Sequence, residues 1–356
     1  MVVALRHSTR PLQVGGVTIG GNAPISVQSM TKTDTRDIQA TVRQINELET
    51  AGCEVVRLAV VDTEAAQAIS EIKRQTRVPL IADIHFDYRL ALQCLESGID
   101  GLRINPGNIG ERVRVEMVTQ KALERGIPIR IGVNAGSLEK TLLDRFGGVT
   151  AQALVESALG HIRILESLHF NDIKVSIKAS HVPLMIQAYR ELSQVVNYPL
   201  HLGVTEAGTG RTGAIKSAIG IGTLLAEGIG DTIRVSLTGP PVEEVRVGFE
   251  ILKSLGLRVK GPDIISCPTC GRCQIDLLPI VEKVEQEIQN LKTPLKIAIM
   301  GCVVNGPGEA RQADVGLAGG KGVGLLFRKG EPLRKVKQSE MVEALLAEIK
   351  SLDSSS

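Results

Sequence analysis

The stretch "PLIADIHFDYRLALQCLESGIDGLRINPG", residues 79–107, reads as a strand, a helix and a second strand. Its two ends, "PLIADIHF" and "GLRINPG", are short apolar runs, and "YRLALQCLESGID" between them spaces its apolar residues as a helix does. A helix between two strands returns the chain to its starting edge, so the strands run parallel. The same unit recurs on both sides. Further strand-like runs begin at "PISVQSM" (24), "EVVRLAVV" (54), "PIRIGVNAG" (128), "DIKVSIKAS" (172), "LHLGVTEAG" (200) and "TIRVSLTG" (232). Eight strand–helix units rich in Val, Ile and Leu predict a closed parallel (β/α)8 TIM-type barrel over residues 1–258. A doubly wound open sheet is the alternative, but its usual strand count is lower. The widest gap, 129–172, holds extra helical sequence around "SLEKTLLDRFGG".

The pattern changes at "GLRVKGPD", 256–263. A cysteine cluster follows, then a charged helix "LLPIVEKVEQEIQNLK", a strand "LKIAIMGC" and two Gly-rich strand-like runs, "ADVGLAGG" and "GVGLLFRKG". A final helix, "SEMVEALLAEIKSL", opens on a Ser in N-cap position. Residues 261–356 therefore read as a small α+β domain. Over the whole chain, 356 residues carry a net charge of +2, no Trp, 3 Tyr and 5 Phe. That excludes a strong basic field for nucleic acid and leaves little for stacking bases. No apolar run is long enough to span a membrane, and the N-terminus shows no signal peptide, so a cytoplasmic protein is expected.

In such a barrel the chemistry lies at the C-terminal ends of the strands. Those ends are polar here. They carry Arg57, then Asp83 and His85, Arg103 and Asn105, Arg130 and Asn134, Ser176 and Lys178, Thr205 and Glu206, and Arg234 and Ser236. Residues two apart on a strand share a face. Five cations on one barrel mouth repel one another unless an anion joins them, and phosphate suits them. The barrel thus reads as a phosphate- or diphosphate-binding enzyme, with Glu206, Asp83 and His85 as acid–base candidates. "EAGTGRTG" holds a GxGxxG at Gly208, Gly210 and Gly213, but it follows the seventh strand. It reads as a phosphate loop or a plain tight turn rather than a dinucleotide fingerprint. "GLAGGKG" lacks the spacing and the Ser or Thr of a P-loop. Cys53 and Cys94 fall on apolar helix faces and read as core thiols.

The remaining cysteines are Cys267, Cys270 and Cys273 in "SCPTCGRC" and Cys302 in "MGCVVNGPGE". A zinc ribbon needs a second CxxC pair, which is missing. CxxCxxC with a remote Cys, and Pro beside a ligand, is an iron–sulfur pattern. The residues alone therefore suggest a closed [4Fe–4S] site on all four thiols, with a structural zinc knot as the alternative.

"SCPTCGR" followed by "GCVVNGPGE" resembles the 4-hydroxy-3-methylbut-2-en-1-yl diphosphate synthases. "VQSMT", "AGCEVVRLAV", "ADIHF", "LRINPGN", "RIGVNAGSLE", "SIKAS", "LGVTEAG" and "SLTGPP" resemble that family in order over nearly the whole chain. The resemblance implies a [4Fe–4S] cluster held by Cys267, Cys270, Cys302 and Glu309. Cys273 has no place in that pattern. Carboxylate is a harder, weaker partner for cluster iron than thiolate, so such a site can open where a four-thiolate site cannot. The implied substrate is 2-C-methyl-D-erythritol 2,4-cyclodiphosphate, its phosphates held among Arg57, Arg103, Arg130, Lys178 and Arg234. Asn105, Asn134, Thr205 and Ser236 join them, and Glu206 positions or protonates the leaving hydroxyl. The implied electron donor is ferredoxin or flavodoxin, and the implied assembly is a homodimer whose site is shared between chains. Two other readings stay open. One is a barrel enzyme, such as a phosphosugar lyase or a pterin-type synthase, with a structural zinc tail. The other is an electron-transfer protein with a four-thiolate cluster.

Overall fold

The computed structural model describes residues 4–289, 291–302 and 311–354. It divides into two compact units, Met1–Arg258 and Val259–Ser356.

The first unit opens with a hairpin, β1 (Leu12–Val14) and β2 (Val17–Ile19), turned by Gly15 and Gly16. Eight parallel strands follow: β3 (Ser26–Met30), β4 (Val55–Ala59), β5 (Leu80–Asp83), β6 (Gly101–Ile104), β7 (Ile129–Asn134), β8 (Ile173–Lys178), β9 (His201–Leu202) and β10 (Thr232–Ile233). Each pairs with the next from β3 to β8, β9 pairs with β10, and β10 pairs with β3. Val175 of β8 bridges Leu200 beside β9, which closes the ring. All eight runs expected from the sequence form these strands.

The connections supply helices α1 (Ile38–Thr50), α2 (Thr63–Gln75), α3 (Tyr88–Glu96), α4 (Pro106–Ile109), α5 (Arg112–Arg125), α6 (Lys140–Phe146), α7 (Ala151–Glu166), α8 (Val182–Ser193), α9 (Gly210–Ala226) and α10 (Pro241–Ser254). Several start where a short polar residue after the strand caps the first turn. Asp37 accepts from the Ala40 N–H at 2.9 Å and Asp62 from the Ala65 N–H at 2.9 Å, each satisfying a donor the helix cannot.

Side-chain alternation decides where the core sits. Along β8, Ile173, Val175 and Ile177 point outward into an apolar layer shared with the helices, while Lys174, Ser176 and Lys178 take the alternate face. On β7, Ile129, Ile131 and Val133 lie in the outer layer and Arg130, Gly132 and Asn134 alternate with them. The apolar core therefore lies between strands and helices. Barrel interiors are usually filled by branched apolar side chains. This one is polar, and only its N-terminal floor is apolar, where Val55 and Ile81 pack on Leu12, Val14 and Ile19 of the hairpin.

In the second unit a five-stranded sheet runs in the order β11 (Asp263–Ser266), β12 (Lys296–Met300), β13 (Val315–Gly320), β14 (Val323–Arg328), β15 (Glu331–Lys337). The first three strands are parallel and the last two pairings antiparallel. Helices α11 (Leu277–Ile288) and α12 (Met341–Asp353) bury Ile280, Val284, Leu345 and Ile349 against Ile297, Leu317 and Leu326. The expected Ser cap of the last helix is not made. Gln338–Glu340 forms a tight 3₁₀ turn, which leaves Ser339 one residue ahead of the N-cap position. No helix among the described residues is long and apolar enough to cross a membrane.

Lys174 shows what the polar interior costs. Its ammonium is buried without a hydrogen-bond partner among the described residues. Burial, and then the nearby Arg130, push its pKa down to about 7, against an opposing pull from Asp231. The unfolded chain then holds a proton that the folded chain has released between about pH 7 and the ordinary lysine pKa, so stability rises with pH across that window. Below it both states are protonated and the burial penalty is felt in full. Lys174→Met should therefore raise the melting temperature by several degrees at pH 7 and flatten its rise between pH 7 and 10, as differential scanning calorimetry would show.

Candidate active site

At the C-terminal ends of the strands a cavity of about 200 Å³ is lined by Met30, Arg57, Asp83, His85, Arg103, Arg130, Gly132, Asn134, Ser176, Lys178, Thr205, Arg234 and Ser236. Eleven of the residues singled out from the sequence thus meet in one place. Asn105 is close by but turned away, its Oδ1 accepting the Gly132 N–H at 2.9 Å. Glu206 is exposed and does not line the cavity. Its backbone is left-handed, with φ 51°, a conformation that costs a non-glycine residue about 1 kcal/mol and is kept only where the surroundings impose it.

Asp83 organises one side of the cavity. Arg103 donates through Nη1 to its Oδ1 at 3.2 Å, and Arg57 Nε stands 3.5 Å from its Oδ2. Burial alone would raise the Asp83 pKa, but Arg57, the His85 hydrogen bond, Arg103 and Arg130 outweigh it and hold the carboxyl well below the usual carboxylate range. This fits a permanent anion that orients guanidinium groups better than a proton donor. His85 is half-exposed at the rim, 3.6 Å from Asp83 and 3.0 Å from Arg103 Nη1.

Glu244, on α10, organises the other side and was not foreseen from the sequence. Its carboxylate is buried, accepts from Ser29 Oγ at 3.0 Å and the Leu237 N–H at 3.2 Å, and faces Arg234 Nη2 at 3.4 Å and Lys32 Nζ at 3.5 Å. Met30 is the second unforeseen neighbour. Its thioether accepts from Arg57 Nε at 3.2 Å and Nη2 at 3.0 Å. A thioether is a weak acceptor, so Arg57 keeps most of its capacity for a stronger one.

The cations outnumber these carboxylates. Burial lowers the Arg57 pKa to about 10, and Arg130 and Lys178 are pushed well below their ordinary values by burial and by one another's neighbours. Arg130 Nε and Nη1 have no partner among the described residues. Buried, unpaired guanidinium donors are costly unless an anion accepts from them. Glycines make room for the long side chains. A Cβ on Gly132 would strike the Arg103 guanidinium, and one on Gly203 would lie 3.1 Å from Lys178 Nζ.

The GxGxxG segment forms a tight turn into α9. The Thr238 N–H donates to the Gly208 carbonyl at 3.0 Å, and a Cβ on Gly213 would strike Leu237 and that same carbonyl. Cys53 and Cys94 are buried, and burial pushes both thiols up to about 12, as expected of inert core thiols.

In the second unit Cys267 follows β11 and Cys302 lies just past β12. The Gly301 N–H donates to Cys267 Sγ at 3.2 Å, and a Cβ on Gly301 would meet both Cys273 Sγ and Cys267 Sγ. Cys270 is exposed, its pKa lowered by a backbone hydrogen bond and by the charge of Arg272. Glu309 lies outside the described residues. Soft thiols with a backbone N–H aimed at one sulfur suit iron–sulfur ligation. Among the described residues no group of three or more His, Cys, Asp or Glu is gathered closely enough to hold a metal ion.

Fold and site together define a βα-barrel with a cation-lined mouth, joined to a cysteine-bearing second unit. Residues 9–249 match the GcpE TIM-barrel domain and residues 263–351 the GcpE protein C-terminal domain. The chain is 63% identical over 348 residues to the 4-hydroxy-3-methylbut-2-en-1-yl diphosphate synthase (flavodoxin) of Geobacter sulfurreducens, covering 98% of this chain and 99% of that one. It is 60% identical over 347 residues to the protein of the same name from Ruminiclostridium cellulolyticum, covering 98% of each. This chain belongs to that synthase family, and it is an enzyme. Among solved structures it resembles dihydropteroate synthases. The Yersinia pestis protein has TM-score 0.50 at 12% identity, over 70% of this chain and 98% of that one. The Vibrio fischeri protein has TM-score 0.51 at 12% identity, over 69% and 98%. These likenesses show the barrel fold alone.

The excess positive charge makes a direct prediction. Inorganic pyrophosphate at low ionic strength should raise the melting temperature of the barrel by several degrees, since a ligand at a hundredfold its Kd adds about 2.7 kcal/mol. Gly132→Ala, which displaces the Arg103 guanidinium, should remove most of that rise. Scanning calorimetry with and without pyrophosphate checks both.

Proposed function

We propose that this enzyme opens and reduces 2-C-methyl-D-erythritol 2,4-cyclodiphosphate to 4-hydroxy-3-methylbut-2-enyl diphosphate in isoprenoid biosynthesis. One observation carries the reading: four buried cations and the largely buried Arg234 converge on a cavity that offers them too few carboxylates. Two electrons and two protons enter, one carbon–oxygen bond to the diphosphate and one to a hydroxyl break, and water leaves. Breaking the ring bond leaves its electron pair on a diphosphate oxygen. The extra charge falls among Arg57, Arg103, Arg130, Lys178 and Arg234, which bind the opened form more strongly than the ring and so favour opening. Asn134, Thr205 and Ser236 add neutral donors, and Asn105 holds the β7 backbone in register. Asp83 and Glu244 keep the guanidinium groups aimed. His85 stands at the rim as a proton carrier of second rank. Glu206, in the loop just after Thr205, holds or protonates the departing hydroxyl.

Cys267, Cys270, Cys302 and Glu309 would hold a [4Fe–4S] cluster, whose chemistry when bound would be one-electron transfer. The donor is a small carrier, flavodoxin or ferredoxin, and the names of the relatives favour flavodoxin. The proposal includes a homodimer in which the site is completed between two chains. A second reading of the ligand set puts Cys273 in place of Glu309. The packing of Cys273 and Cys267 against Gly301 favours it. The two readings separate in anaerobically purified Cys273→Ser. With Glu309 as ligand, that variant keeps its iron, sulfide and turnover of the cyclic diphosphate; with Cys273 as ligand, it loses the cluster. Zinc in place of iron, with no reductant-dependent turnover, would sink both. Glu206→Gln should lower kcat about 10²–10⁴-fold with KM changed little, as expected of a group acting on proton transfer.

A further inference from the structure

We propose that the basic edge of the C-terminal sheet, around β15, is where an acidic flavodoxin-class carrier docks; this rests on the reading above that the enzyme takes its electrons from such a carrier. Between Lys321 and Lys337 the chain carries Lys321, Arg328, Lys329, Arg334, Lys335 and Lys337 against a single acid, Glu331. The charge is segregated within the unit, because α11 carries Glu282, Glu285 and Glu287 against Lys283 alone. Lys321, Lys329, Arg334, Lys335 and Lys337 are exposed. Among the described residues only Arg328 of the six approaches a carboxylate, Glu348 at 3.9 Å.

The strand itself is an open edge, since β15 pairs with β14 and with no other strand of the sheet. Exposed Val323 and Leu333 give the basic surface an apolar centre. Apolar residues ringed by charge are the usual composition of a transient protein interface. Lysines on an edge strand also deter edge-to-edge aggregation, and that accounts for Lys335 and Lys337 taken alone. It does not account for Lys321 in the β13–β14 turn and Lys329 in the β14–β15 turn, or for the apolar side chains left exposed beside them.

Register ties this edge to the thiols. Ser266 pairs with Ile299, Met300 with Ala318, Gly320 with Val323 and Val323 with Lys337. Cys267, Cys302, Lys321 and Lys337 therefore lie at one end of the sheet. Strands about 4.8 Å apart put β15 roughly 14 Å from β12 at that end. A carrier seated there is a few strand widths from the cysteines. Opposite charge speeds its encounter and leaves it free to depart, which suits a carrier that gives one electron per visit and must visit twice.

The experiment uses the cluster-loaded enzyme and the double variant Lys335→Glu with Lys337→Glu. Oxidised flavodoxin binding is measured by surface plasmon resonance at low and high salt. Turnover is measured with reduced flavodoxin and, separately, with a reduced viologen dye. We expect Kd and KM for flavodoxin to rise about tenfold or more, the salt dependence of binding to fall, and dye-driven turnover to stay at the native rate. Should the reversal disturb the edge strand, Lys335→Gln with Lys337→Gln reads the same binding. Lys283→Glu, on α11, should leave binding as it is. Native flavodoxin affinity in both double variants would overturn the docking surface. Native enzyme inactive with dye and flavodoxin alike would instead overturn the proposed reaction.

Discussion

Buried positive charge in excess of buried negative charge is the constraint on which the barrel depends. Arg57, Arg103, Arg130 and Lys178 are nearly inaccessible, and Arg234 is little more exposed. Two carboxylates, Asp83 and Glu244, serve all five cations. Charges of one sign in a low-dielectric interior repel strongly and cost several kcal/mol each to desolvate. The rest of the architecture accommodates that cost. The apolar core lies outside the strands, glycines stand where a Cβ would collide with a guanidinium or an ammonium, and the hairpin closes the floor with the few apolar side chains the interior contains. Such an interior is an expensive way to build a stable barrel, and an anion bound there would remove the penalty.

The two carboxylates divide the work. Asp83 stands inside the ring of cations and fixes Arg57 and Arg103 from within. Glu244 stands behind it on a helix and holds Arg234, Lys32 and the β10 loop from outside. Neither neutralises the site. Each fixes direction, so that the remaining donors converge on one small volume. The Met30 thioether contributes by being a poor acceptor: it occupies Arg57 without satisfying it.

Much of this was legible in the sequence. Eight apolar runs at similar intervals specify the ring, and residues two apart at their ends specify which side chains meet, so the cavity lining could be named almost completely. Short or half-exposed pieces could not. The hairpin has three-residue strands and announces itself only by Gly15 and Gly16. β15, "EPLRKVK", buries Val336 alone and so shows no alternation to read. Glu244 was missed because "PVEEVRVGFE" looks like any helix start with acids in its first turn; nothing local says that one acid is buried. Glu206 was named from its place after a strand, but its left-handed backbone and its exposure depend on tertiary structure. The proposed metal ligands rest on a cysteine pattern, whereas the choice between Cys273 and Glu309 depends on distances that no spacing rule supplies.

The closing seam of the barrel has a consequence in time rather than in chemistry. β9 and β10 are two residues long, and their joint is fastened from elsewhere. The Tyr189 hydroxyl accepts the Ile177 N–H and donates to the His201 carbonyl. Asp231 accepts from the Leu200 N–H at 2.8 Å, from Arg6 at 2.6 Å and from Thr9 at 2.9 Å. Arg6 and Thr9 thus brace a joint made more than two hundred residues later. During synthesis, among the described residues, Arg6 and Thr9 have only the nearby Ala23 and Gly21 to bond until Asp231 has emerged. Contacts so distant in sequence are slow to form. The last event in shaping this barrel should therefore be the return of its first residues to clasp its last strand.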